Sequence, residues 1–199
     1  MNVAIVCFDG VDELDAIGPF RVFAGAAAAG APVTVALVTV EPTDRITTSN
    51  GLRLGIDGTL ADADPDLVVV PGGGWNARSE SSAWAEAERG TIPDAIVELH
   101  REGVPLAAVC TGTMLLARAG LVEGRPATTH AGAIDDLEES GAVVVDARVV
   151  DDGDVVTAGG VSSGIDLALH VVAREFGDAV ATSVAESIEY ERRGAVYEA

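Results

Sequence analysis

The stretch Val104-Pro105-Leu106-Ala107-Ala108-Val109-Cys110-Thr111-Gly112-Thr113-Met114-Leu115-Leu116-Ala117-Arg118-Ala119-Gly120 decides the fold. After Pro105 comes an apolar run of the length that a buried parallel strand prefers. It ends on Cys110. Thr111-Gly112-Thr113 then opens an apolar, helix-like segment that stops at Gly120. A strand that turns sharply into a helix, with a nucleophile-type side chain at the turn, has the geometry of a nucleophile elbow. Such a turn lifts the thiol out of the sheet edge. The N–H groups that open the helix then face the thiol and favour thiolate. Cys110 is therefore the candidate nucleophile.

Working outward, strand and helix patterns alternate. Val3 to Phe8 and Val33 to Val40 read as strands, with a helix between them from Asp12 to near Gly30. Residues 46–54 read as a hairpin with Ser49-Asn50-Gly51 at its turn. Leu67 to Val70 is a short buried strand that runs into Pro71-Gly72-Gly73-Gly74. A polar segment follows, then a helix from about Thr91 to Arg101. A short strand falls within Arg125 to His130, and Asp135 to Ser140 is helical. Val143–Val150 and Asp154–Thr157 flank a hairpin turn at Asp151-Asp152-Gly153. The helix from Ser163 opens with the form of a capping box, Asp166 taking its acidic position. A last helix carries Val180, Val184 and Ile188. This alternation predicts an α/β fold, a three-layer α/β/α sandwich around a flavodoxin-like, mostly parallel sheet. The whole chain, 1–199, is expected to form one domain.

Composition narrows the partners. Thirty-two Asp and Glu face 12 basic residues, all Arg, for a net charge of −20. The acid is spread along the chain, so it is a solvated surface that repels nucleic acid and anionic membranes. Many acids without lysine resemble the proteins of salt-loving organisms, where salt screens self-repulsion. Two cysteines, no basic start and no apolar run of about 18–20 residues point to a soluble, cytoplasmic protein.

In a parallel sheet the ligand crevice lies beyond the carboxyl ends of the strands. Four segments sit there: Asp12–Gly18, Gly72–Gly74, Cys110–Thr111, and His130 at the end of Ala127-Thr128-Thr129-His130. Asp15 carries two readings. It is the third helical residue after an Asp12 cap, or a protonated carboxyl that donates to the thiolate and manages protons. The N–H groups of Gly72 and Gly73 form an oxyanion hole, or the glycines form a plain tight turn. His130 is a proton shuttle near the thiol or a structural strand-end histidine. Trp75 is placed to line the pocket. Cys7, His100 and His170 read as structural. No cysteine or histidine spacing fits a metal site, and no cofactor is expected.

The segments Phe8-Asp9-Gly10-Val11-Asp12-Glu13-Leu14-Asp15-Ala16-Ile17-Gly18-Pro19, Val69-Val70-Pro71-Gly72-Gly73, Val109-Cys110-Thr111-Gly112, Ala127-Thr128-Thr129-His130 and Thr157-Ala158-Gly159-Gly160-Val161-Ser162-Ser163-Gly164-Ile165-Asp166 resemble the ThiJ/PfpI superfamily. The likeness spans nearly the whole chain in order and is strongest to the subgroup that contains isonitrile hydratase. It implies Cys110 as nucleophile, Asp15 as its acidic partner, Thr111 and the Gly72–Gly73 backbone lining the site, and a homodimer. Protease-like members place His directly after the cysteine. Thr111 stands there instead, which removes the local Cys–His dyad. The leading expectation is thus a hydratase-like enzyme taking a small electrophile. Two alternatives accompany it: an enzyme of reactive aldehydes, and a ligand-binding or redox-sensing protein related to the N-terminal half of AraC-type regulators.

Overall fold

A computed structural model describes all 199 residues. Its strands are β1 (Asn2–Val6), β2 (Thr34–Thr39), β3 (Arg45–Thr47), β4 (Arg53–Gly55), β5 (Gly58–Thr59), β6 (Leu67–Val70), β7 (Leu106–Val109), β8 (Pro126–Ala127), β9 (Val143–Val144), β10 (Val149–Asp151), β11 (Val155–Ala158) and β12 (Val196–Glu198). The helices are α1 (Glu13–Ala28), α2 (Ala83–Arg89), α3 (Thr91–Arg101), α4 (Gly112–Arg118), α5 (Ile134–Glu139), α6 (Ser163–Phe176) and α7 (Asp178–Ser187).

Eight strands form one sheet in the order β12-β10-β11-β7-β6-β1-β2-β5. Every residue of β6, β7 and β11 is buried, and so is β1 after Asn2. Strands covered on both faces cannot alternate, which is why they read as unbroken Val, Leu and Ala runs. Helices α1, α6 and α7 pack together, as do α2, α3 and α4, with α5 against α4. This makes the expected three layers. In chain order, the five central parallel strands lie as β2-β1-β6-β7-β11, the flavodoxin-like arrangement. The winding direction reverses between β1 and β6, so the crevice opens where those strands end.

The departures from the sequence reading lie on the sheet's margins. Val143–Val150 is not one strand. Val143 and Val144 pair with Pro126 and Ala127 in a separate two-stranded sheet, while Val149 starts β10. Between them the backbone turns tightly, with the Ala147 N–H on the Val145 carbonyl at 2.9 Å. His130 therefore follows a strand outside the main sheet. The capping box at Ser163 does not form either, because the Asp166 carboxylate bonds to the Arg148 Nε, the Tyr190 hydroxyl and the Arg193 N–H. Strands β5 and β12 carry too few apolar residues to stand out in sequence. They join the sheet through backbone pairing to β2 and β10. Within the polar segment after the glycines, Ser82 caps α2 by accepting the Ala85 N–H at 3.2 Å.

Backbone segments meet very closely at the crevice. A methyl on Gly112 would lie 2.0 Å from the Val70 carbonyl oxygen, so α4 starts against the end of β6 only because that residue has no side chain. Gly120, at φ +73, has open space around its Cα instead. Overpacking at Gly112→Ala is expected to cost about 3 kcal/mol. Gly120→Ala meets only the left-handed backbone penalty of about 1–2 kcal/mol. Urea denaturation of both variants checks this, and equal losses would show that close approach is not what position 112 requires.

Candidate active site

Cys110 directly follows β7 at φ +57, a left-handed conformation rare for a residue with a side chain. Such strain persists only where neighbours over-determine the backbone. Here the Cys110 N–H donates to both the Ala158 and Gly159 carbonyls, each at 3.0 Å, and its carbonyl accepts the Thr129 hydroxyl at 2.8 Å. The sharp turn into α4 expected from the sequence is present, and Cys110 is 6% exposed.

Asp15 lies in the first turn of α1, after an Asp12 cap whose carboxylate accepts the Leu14 N–H at 3.0 Å. The cap role therefore falls to Asp12 alone. Asp15 has no exposed surface, and its Oδ2 accepts the Gly72 N–H at 3.0 Å. Its Oδ1 has no hydrogen-bond partner of ordinary geometry. Burial first, and then the charge of Asp12, push the carboxyl up to about 7, while the Gly72 N–H and the Cys110 thiol pull it back down.

The thiol is pushed up as well. Burial comes first and the Asp15 charge second, reaching about 12, against the lowering influence of the Val161 and Thr111 N–H groups. The backbone donors favour thiolate as the sequence suggests, but desolvation acts against them and more strongly. The two groups titrate as a unit. With one proton between them, they form either a thiol beside a carboxylate or a thiolate beside a carboxylic acid that can donate to sulfur.

The N–H groups of the glycine loop are already engaged. The Gly72 N–H is engaged by Asp15, and the Gly73 N–H donates to the Thr111 hydroxyl at 3.0 Å. Neither is free to meet a developing charge in this structure. The loop instead orients the acid and Thr111. A methyl on Gly73 would fall 2.5 Å from both the Asp12 nitrogen and the Gly10 carbonyl oxygen, so the loop threads where only glycine fits.

Cys110, Thr111, Gly73 and His130 line one cavity of about 220 Å³, together with Trp75 and Asn76. The Trp75 indole N–H is fixed by the Asp136 carboxylate at 2.5 Å. His130 Nδ1 accepts the Gly132 N–H at 3.0 Å, which puts the proton of the neutral ring on Nε2. Val161 was missed by the residue-level reading, yet it lines this cavity too, at φ +41. Its signal was the glycine-rich link between β11 and α6, at the same sheet edge as the other three segments.

The remaining candidates lie elsewhere. Cys7 is 2% exposed within the core. His100 and His170 pair with Asp154 at 3.3 Å and Asp151 at 2.6 Å, at the opposite end of the sheet. No three His, Cys, Asp or Glu side chains cluster to hold a metal ion. No helix is long and apolar enough to cross a membrane.

The elevated Asp15 carboxyl has a stability consequence. The folded chain keeps a proton that the unfolded chain releases near pH 4, so stability falls as pH rises from about 4 to about 7. Above that range the cost is on the order of 4 kcal/mol. Asp15→Asn carries no such charge. It should match the parent at the acid end and exceed it above neutrality in urea denaturation. Parallel stability curves would show that Asp15 is not held protonated.

The family profile described as DJ-1/PfpI matches residues 1–174. The isonitrile hydratase of Pseudomonas putida is 33% identical over 191 residues, covering 96% of this chain and 78% of the hydratase. A deglycase of Pyrococcus horikoshii is 33% identical over 138 residues, covering 66% of this chain and 74% of the deglycase. An HTH-type transcriptional regulator of Pseudomonas aeruginosa is 35% identical over 142 residues, which span 69% of this chain and 40% of the regulator. The crystal structure of a THiJ/PfpI family protein from Pseudomonas syringae superposes with a TM-score of 0.80 at 26% identity, covering 96% of this chain and 76% of that one. Family profile, relatives and fold agree, and the chain belongs to the DJ-1/PfpI family.

Proposed function

We propose that this chain is a cysteine-dependent hydratase of small electrophiles of the isonitrile type. The observation that carries the reading is the Asp15–Cys110 pair, two buried groups that can hold a single proton between them, with Cys110 lining the cavity. That pair supplies a nucleophile and an acid together. Thr111 directly after the cysteine, and likeness to a hydratase along 96% of the chain, favour this substrate class over the aldehydes of the deglycases, whose likeness covers 66%.

The chemistry follows from the pair. The Cys110 thiolate attacks the terminal carbon of R–N≡C and forms an S–C bond, while Asp15 gives that carbon its proton. The product is a thioimidate, R–N=CH–S. Water then adds across the C=N bond. Collapse of the adduct passes its hydroxyl proton to Asp15 and breaks the S–C bond. It releases the formamide R–NH–CHO and restores thiolate and acid. His130 lines the same cavity, and in this reading it steers the water. A homodimer, implied by the family resemblance, accompanies this reading.

The test is formamide formation from a panel of alkyl and aryl isocyanides, with methylglyoxal as competitor, at the high salt suited to a −20 chain. Cys110→Ala should be inactive, and Asp15→Asn should lose about 10²–10⁴ in kcat/KM. The parent's kcat/KM should rise with pH through about 7, where the pair loses its first proton, and stay level above. In Asp15→Asn the rise should move to higher pH, because the thiol must then ionise unaided. Cys110-dependent turnover of methylglyoxal but of no isocyanide would overturn the substrate assignment.

A further inference from the structure

Arg148 stands where the expected Val143–Val150 strand breaks, and its bonds lead back to the thiol. Its carbonyl accepts the Gly159 N–H at 3.0 Å. Its Nε donates to the Asp166 carboxylate at 2.5 Å, and its Nη2 donates to the Ser162 hydroxyl at 3.0 Å. Asp166, 6% exposed, is held in turn by the Tyr190 hydroxyl at 2.8 Å and the Arg193 N–H at 2.9 Å. Arg148 thus holds both ends of the link between β11 and α6, the Gly159 end through its backbone carbonyl and the α6 end through its guanidinium.

That link forms one wall of the thiol's surroundings. The Ala158 and Gly159 carbonyls hold the Cys110 N–H, and Val161 lines the same cavity as the thiol. Val161 is β-branched and sits at φ +41, a conformation it does not adopt without external restraint. Ser162 opens α6, yet its hydroxyl does not cap the helix and goes to Arg148 instead. A half-buried ion pair is a weak source of stability beside an apolar alternative. Its two-pronged geometry matches a need for fixed backbone position.

We propose that Arg148 is a positioning residue for Cys110: by clamping Ser162 and Asp166 it fixes the Gly159–Val161 backbone that holds Cys110 in its left-handed turn, and so sets the reactivity of the thiol. This rests on Cys110 being the reactive thiol, but not on any particular substrate. A planar guanidinium meets Asp166 and Ser162 through two nitrogens at once, which a lysine ammonium cannot do.

Iodoacetamide alkylation of Cys110 across a pH series, on the full chain with Cys110→Ala as blank, tests it. Ser162→Ala and Arg148→Met should raise the thiol's midpoint and slow alkylation about three- to tenfold at any pH below it. Arg148→Lys keeps the charge and should be slowed as Arg148→Met is. Wild-type alkylation by Ser162→Ala overturns the proposal. So does full restoration by Arg148→Lys, which would assign the effect to charge alone. A loss of thermal stability with an unmoved midpoint overturns it as well. Should Arg148→Met fail to fold, the other two variants decide. Absence of turnover in the unmutated chain would defeat the hydratase reading and leave this readout intact.

Discussion

A carboxyl group removed from water and met by a single backbone N–H is the constraint on which the crevice depends. An isolated buried carboxylate is expensive, and a protein escapes that cost by pairing it with a cation or by leaving it protonated. No cation contributes to the titration of Asp15. The proton stays, and the thiol becomes its other claimant. Each neighbouring element then has a task that follows from this. The Gly72 N–H points the carboxyl, the Thr111 hydroxyl holds the Gly73 N–H, and β7 delivers Cys110 in a strained turn. The flavodoxin-like strand order is what brings the ends of β1, β6 and β7 to one place.

Much of this was legible in the residues. Unbroken apolar runs marked the central strands because both their faces are covered, and Thr-Gly after Cys110 marked the elbow. Other features were not legible, for identifiable reasons. Two-residue strands such as Gly58–Thr59 exist through backbone pairing and leave no periodic trace. Asp166 had the right spacing for a cap, but tertiary partners claimed it. The glycine loop looked like a set of free donors, since sequence shows that N–H groups exist and not what they already bond to. The burial that acts against the thiolate was not legible for a related reason. A helix terminus is visible in sequence, whereas the degree of burial that outweighs it is set by the whole fold.

The two ends of the sheet are built on opposite electrostatic terms. At the crevice, charge is scarce and protons are retained. At the far end, three of the four residues at the β10–β11 turn are acids, and they are met by Arg125, Arg174, His100 and His170. Exposed ion pairs add little to stability individually. Their value in a chain of net charge −20 lies in relieving repulsion where acids crowd into a tight turn.

The bonds that assemble the crevice join residues far apart in the chain, 57 positions for Asp15 to Gly72 and 38 for Gly73 to Thr111. Non-local contacts of this kind form late, after their loop-closure entropy has been met. The left-handed turn at Cys110 has no local reason to exist and waits for them. A partly synthesised or partly folded chain therefore carries an ordinary, flexible cysteine, and the buried, strained setting of that sulfur arises as folding completes. The thiol's behaviour is a clock for the last stage of folding, read at a single atom.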